Sequence, residues 1–293
     1  MRAIVLSLLL CACSARSTET PDKLVTRCPP HHSFDGRACR KLGEKRQALR
    51  SGMRELTAFR PDRALVLLGA AKREGPYRHA DHVALYQSLG IAHAYRGEEQ
   101  AALAAFAMLL ALSPGHAISY TLSPRATFLF ERARRDAKEP PEIRVSWPRD
   151  LEVSEPVPIE LEVVSDPPQV LRRARLYARK KGSRSFLYSD LDLPRAGAYR
   201  RIVLPPIAPD SEQNETLELM ITVYDARGNE TLLWGTPKRP RSLPLRYDPP
   251  TPWYENWWVW GIAGTLAAIG TGVGVFFATQ DPPDHVDGTF HVE

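Results

Sequence analysis

The chain has 293 residues, enough for about two domains and flanking segments. Its formal net charge is +5, from 39 Lys and Arg against 34 Asp and Glu, and its densest basic stretch holds few aromatic residues, which argues against nucleic acid as a partner. Neither a phosphate-binding P-loop nor a nucleophile-elbow pattern occurs, which argues against the enzyme classes built on them.

Met1–Cys13 reads M-R-A-I-V-L-S-L-L-L-C-A-C. One Arg precedes an apolar core too short to span a bilayer comfortably, and small residues follow. This is a secretory signal pattern, assigned to residues 1–12. Leu10-Cys11-Ala12-Cys13 resembles the lipobox of bacterial lipoproteins, with Leu three residues before Cys13 and a small residue directly before it. The resemblance implies cleavage before Cys13 and a lipid on Cys13; an ordinary cleaved signal is the alternative. The loop region 13–41 keeps Cys28 and Cys39, in C-P-P-H-H-S-F-D-G-R-A-C. In an exported chain, two cysteines closing a short Pro/Gly loop are most simply a disulfide. A metal set of Cys28, His31, His32 and Cys39 is the sharper alternative, but its spacing matches no standard zinc pattern, so no metal is assigned.

Residues 42–138 carry helical periodicity. Tyr86, Leu89, Gly90 and His93 share one helical face, Gly97-Glu98 breaks it, Ala102, Phe106 and Leu109 line a second helix, and Pro114 stops that one. Leu89, Gly90, Ala102, Phe106 and Pro114 stand where a tetratricopeptide repeat has Leu, Gly, Ala, an aromatic and Pro, so the pair resembles that family. Gly52, Ala64, Leu68, Ala71 and Pro76 form a weaker copy, and a helix after Ser123-Pro124 is expected to cap the stack. The resemblance implies a protein-binding groove lined from the first helix of each pair, here by Arg46, Gln87 and Ala94. His79 and His82 fall in a loop before a helix and read as surface or capping residues.

Glu139-Pro140-Pro141-Glu142 reads as a linker, residues 139–142. Over 143–247 the period becomes two: Ile159, Leu161 and Val163 alternate with Glu160 and Glu162, and Leu217, Leu219, Ile221 and Val223 with Glu218, Met220 and Thr222. One apolar and one polar face indicate antiparallel strands packed on a core from one side. Asp225-Ala226-Arg227-Gly228-Asn229 reads as a hairpin loop. About seven short strands suggest a sandwich resembling immunoglobulin-like or fibronectin-like domains. Arg172, Arg173, Arg175, Arg179, Lys180 and Lys181 form a candidate basic surface for lipid headgroups or acidic glycans. Asp190 and Asp192 lie in a turn-like stretch with no partnering acid or His nearby in sequence.

Asn256 to Gln280 is uncharged and rich in Trp at its start, and residues 257–279 are long enough to span a bilayer as a helix. Gly264, Ala268 and Gly272 recur on one face of it, a spacing that permits helix association and hence a homo-oligomer. An acidic tail, 280–293, follows.

The expected fold is therefore multidomain α plus β: a short tetratricopeptide-like hairpin array, an antiparallel β-sandwich and a single transmembrane helix. The layout resembles bacterial lipoproteins with tetratricopeptide-like repeats and an immunoglobulin-like β-domain. It implies a membrane-anchored cell-envelope protein, its domains in the periplasm, that binds an unidentified protein partner. It implies neither catalytic residues nor cofactor. The alternatives are a linker bridging the inner and outer membranes, and a glycan- or peptidoglycan-binding module on the β-domain.

Overall fold

The computed structural model describes residues 24–119, 122–249 and 252–258. The chain divides into two compact units at Tyr247/Asp248. In the second, a 3-10 turn covers Trp253–Glu255.

The first unit opens with a two-stranded antiparallel ladder, β1 (His32–Phe34) and β2 (Cys39–Lys41), tied by the Cys28–Cys39 disulfide. Five helices follow: α1 (Gln47–Thr57), α2 (Pro61–Glu74), α3 (His79–Arg96), α4 (Glu99–Leu112) and α5 (Pro124–Arg135). Pro61 starts α2 and Pro124 starts α5, positions where a missing N–H costs nothing. Ser123 Oγ caps α5 by accepting the Ala126 N–H at 3.3 Å.

The helices pack as two hairpins, α1/α2 and α3/α4, with α5 against α4. Gly90 on α3 leaves room for the Phe106 ring of α4; a Cβ at Gly90 would collide with that ring. Phe106 is fully buried and meets Phe130 of α5 edge to face at 5.4 Å. Leu89, Ala102 and Phe106 all lie in the helical core, while Pro114 is exposed just beyond α4.

Eight strands form the rest: β3 (Glu142–Ser146), β4 (Val157–Ser165), β5 (Arg173–Lys180), β6 (Leu187–Asp192), β7 (Tyr199–Leu204), β8 (Glu215–Tyr224), β9 (Glu230–Trp234) and β10 (Arg241–Leu245). One sheet has the order β3-β4-β7; the other runs β10-β8-β5-β6, with β9 also on β8, and all the pairs are antiparallel. Both sheets bury their inner faces in one core, where Ile159, Leu161 and Val163 join Leu176, Leu219 and Ile221. The period-two pattern is the cause: along β4, Val157, Ile159, Leu161 and Val163 point inward and Glu160 outward.

The architecture read from the sequence needs correction on two points. A tetratricopeptide array is not shown: the described residues hold five helices, hence two hairpins and a single helix, and strands outnumber helices. Beyond the second hairpin stands only the single helix α5, packed on α4 and α3, while α3 also touches β9. A C-terminal transmembrane helix is not supported, since no helix among the described residues is long and apolar enough to cross a membrane. The run from 259 onward, with Gly264, Ala268 and Gly272, lies outside the described residues, as do Cys13 and the signal segment. The helices and both sheets belong to one compact unit, with residues 139–142 leading from α5 to β3.

Gly90→Val is expected to wedge α3 from α4 and to cost about 1–3 kcal/mol, the range for overpacking a filled core. Thermal unfolding followed by circular dichroism should show a midpoint several degrees lower.

Candidate functional site

Alternation along β5 sends Ala174, Leu176 and Ala178 into the core and Arg175 and Tyr177 to the outer face of the sheet. The segment 24–42 lies over part of that face. Arg175 is therefore buried, 1% exposed, and is among the largest fully buried side chains described. Its Nε donates to Asp190 Oδ1 at 2.6 Å and its Nη2 to Oδ2 at 3.0 Å. The same guanidinium donates to the carbonyls of Cys28 (3.1 Å), Pro29 (3.2 Å) and His32 (3.0 Å). Burial alone would push its pKa down; the Asp190 hydrogen bonds and charge outweigh that, and the net shift is upward. Asp190 Oδ2 also accepts the Arg27 and Cys28 N–H groups, at 2.8 and 3.3 Å. Arg27 reaches on to Asp192, and that hydrogen bond with its charge holds the Asp192 carboxyl below its usual range.

The hairpin between β8 and β9 forms a second junction. Asp225 Oδ1 accepts the Arg227 and Asn229 N–H groups, closing the turn, and Gly228 sits at φ +82°. A Cβ at Gly228 would also lie 2.6 Å from Ser33 Oγ, which donates to the Gly228 carbonyl. Asn229 Oδ1 accepts the Tyr77 N–H at 2.8 Å, Tyr77 O accepts the Glu230 N–H at 3.0 Å, and Arg227 donates to Lys72 O at 2.8 Å. His79 N–H donates to Glu230 Oε2, and the buried His82 Nδ1 lies 3.0 Å from Glu230 O, so that nitrogen carries the proton. Tyr77 is 1% exposed, and burial, then the Glu74 and Asp81 charges, push its hydroxyl up to about 12.

Two cavities flank these junctions. One, of about 560 Å³, lies on the uncovered part of the same sheet face. Tyr177 stands opposite Tyr188 and Met220 in the strand register, and with Phe186 and Leu233 they give it an apolar lining. Pro30, His31 and Leu42 form one wall; Arg78 and Glu230 bring the charges. Burial raises the pKa of Glu230. The other is a cleft of about 1150 Å³ at the start of α1, lined by Lys45, Arg46, Arg50 and Arg54, by the carboxylates Glu44 and Glu74, and by the half-exposed Met53.

The structure redistributes the residues picked out in sequence. Cys28 and Cys39 are joined to each other, not to a metal, and no metal-holding cluster of His, Cys, Asp or Glu exists among the described residues. The candidate basic surface is corrected: Arg175 is buried, Arg179 pairs with Glu218 at 2.7 Å, Lys180 pairs with Glu215 at 2.6 Å, and Arg173 lies over the Phe34 ring and donates to Ala226 O. Arg172 and Lys181 remain exposed. Of the groove residues expected on the helices, Arg46 lines the cleft, whereas Ala94 is fully buried. Asp190 and Asp192 lie on β6, not in a turn, and His79 and His82 belong to α3 itself. The sequence held one signal for the missed ion pair: R-A-R at 173–175 and D-L-D at 190–192 are both period-two charge patterns, and antiparallel pairing sets Arg175 against Asp190.

No protein-family model and no curated protein matches the chain.

The helix-hairpin junction is expected to weaken in acid. Burial lowers the pKa of His82 below its ordinary 6.5, and burial and the His82 charge do the same for His79. The unfolded chain thus binds these protons more readily, so the contribution is fully present above pH 6.5 and is lost as pH falls below it. Each histidine adds a slope of up to about 1.4 kcal/mol per pH unit. Burial of Glu230 acts with the opposite sign nearer the carboxylate range. Urea unfolding at pH 7, 6 and 5 should show a fall in stability that is smaller in His82→Gln.

Proposed function

We propose that the protein is a non-catalytic interaction module of an oxidising compartment, and that it holds an acidic partner protein in the α1 cleft. The carrying observation is the charge of that cleft: four cationic side chains against two carboxylates, within about 1150 Å³. Arg46, Arg50 and Arg54 recur at one-turn spacing and share a stripe of α1. Arg46 is held by Asp81 at 2.9 Å, while Lys45 and Arg50 have no side-chain ion pair or hydrogen bond among the described residues. Met53, 40% exposed, adds an adaptable apolar contact beside the charges. The Cys28–Cys39 disulfide supports the compartment, since such bonds persist where thiols are not kept reduced.

Charges of this kind steer association and set its salt dependence. A photo-crosslinking residue placed at Met53 of the full chain should capture an acidic partner. Arg50→Glu with Arg54→Glu should reduce that capture about tenfold, the result of roughly 1.4 kcal/mol lost over two exposed charges. Lys181→Glu, distant in sequence and in the turn after β5, should leave it unchanged. Capture that is indifferent to both Arg reversals and to salt would contradict the reading.

A further inference from the structure

We infer that Cys39 is a site of thiol–disulfide exchange, and that the cavity beside it selects small thiols carrying carboxylates. The Cys28–Cys39 bond is presented unevenly to solvent. Cys28 is 1% exposed, whereas Cys39 opens β2, a strand whose residues are all exposed. An attacking thiolate must reach one of the two sulfurs from outside, and Cys39 is the one offered. Cys39 also lines a cavity of about 460 Å³, within the range of small-ligand sites. The other walls come from β1, β2, the segment before α1 and Gly75-Pro76.

Charge selects the thiol. Lys41 and Lys45 line the cavity, are exposed, and have no ion pair or hydrogen bond among the described residues. Lys41 follows Cys39 by two residues in β2, so the two side chains share a face of the ladder. Arg40 is taken by Asp35 at 2.7 Å, which leaves two free cations against the single carboxylate Glu44. Glu44 and Lys45 also line the α1 cleft, where cations again outnumber carboxylates. A cleft with an excess of one charge concentrates ligands of the other and speeds their arrival. Cations beside a sulfur also favour the thiolate, the form that attacks.

The exchange proceeds in two displacements. The incoming thiolate sulfur bonds to Cys39 Sγ, the Cys28–Cys39 bond breaks, and its electron pair leaves on Cys28 Sγ, which takes a proton from water. A second thiolate then attacks the mixed disulfide and leaves as the disulfide of the small thiol, so that two thiols give two electrons to the protein bond. Until then the Cys28 thiol can reverse the first step. Both ends stay placed while the bond is open. The Cys28 carbonyl accepts from Arg175 and its N–H donates to Asp190, while Asp35 Oδ1 closes the β1–β2 turn by accepting the Arg37 and Ala38 N–H groups at 2.8 Å. The cross-link is therefore one that can open and reclose without the loop leaving the sheet.

The test measures disulfide opening in the full purified chain by three small thiols: mercaptosuccinate with two carboxylates, neutral mercaptoethanol and cationic cysteamine. Acid quenching, alkylation and peptide mapping read Cys28 and Cys39 apart from Cys11 and Cys13. The first adduct is expected on Cys39, with the alkylated thiol on Cys28. Comparing variants within one thiol cancels that thiol's own reactivity. Lys41→Glu with Lys45→Glu should slow mercaptosuccinate about tenfold, change mercaptoethanol less than twofold and leave cysteamine unslowed. Arg135→Glu with Lys138→Glu, an equal charge change at the exposed end of α5, should alter no rate more than twofold. The inference is overturned if the adduct forms on Cys28, if the Lys41 and Lys45 reversals leave mercaptosuccinate unchanged or slow all three thiols alike, or if the α5 reversals slow mercaptosuccinate equally. Opening by a dithiol protein such as a thioredoxin, with no reaction of mercaptosuccinate, would overturn it in favour of a protein reductant.

Discussion

The Arg175–Asp190 pair is the constraint on which the rest of the unit depends. A guanidinium on a sheet face would normally sit in water. Here it is covered by the disulfide loop, and every donor that burial would orphan is taken by a carboxylate or by a loop carbonyl. Such a pair adds little net stability against a well-packed apolar substitute, but removing one partner costs about 3–5 kcal/mol, because the other charge remains buried. The pair therefore acts mainly as a specificity device. It admits one position of the loop on the sheet, the one that brings three carbonyls within reach of a single fork of donors.

That placement has consequences beyond the loop. The disulfide limits the freedom of residues 28–39 and is worth roughly 2–3 kcal/mol for a loop of this size. The positioned loop sets Ser33 against Gly228, and the hairpin that contains Gly228 meets Tyr77, Lys72 and, through Glu230, the first turn of α3. Helices, loop and the larger sheet are thus joined by a chain of hydrogen bonds, of which Ser33–Gly228 and Tyr77–Asn229 are buried. The same placement builds one wall of the aromatic groove, and both proposed sites belong to this unit. A binding surface held by rigid elements loses less entropy on association than one on a mobile arm.

Much of the fold was legible in residue patterns. Alternation at 159–163 and 217–223 gave the inward faces of β4 and β8, and the spacing of Leu89, Ala102 and Phe106 gave the buried side of a helical hairpin. Two helix pairs and a closing helix were legible as well; what covers α3 was not, because the 3.6-residue period describes one helix face and says nothing about its neighbour. Where a repeat array would add another hairpin, this chain adds the single helix α5, and β9 touches α3. The groove was hidden for a related reason. Tyr177, Tyr188 and Met220 are ordinary outward positions on three strands, and only the register makes them neighbours. Arg175 was misread as surface because period two reports which face a residue is on, not whether another segment lies over that face.

The central claim is that Arg175 holds the disulfide loop to the sheet and so couples it to the helices. Amide hydrogen exchange on the full chain with Arg175→Met tests it most directly. The account predicts that protection falls at Arg27, Cys28 and Leu42, and then at Tyr77 and Glu230, while amides of β3, β4 and β7 keep theirs. Unchanged protection at Arg27, Cys28 and Leu42, with the disulfide intact, would contradict it.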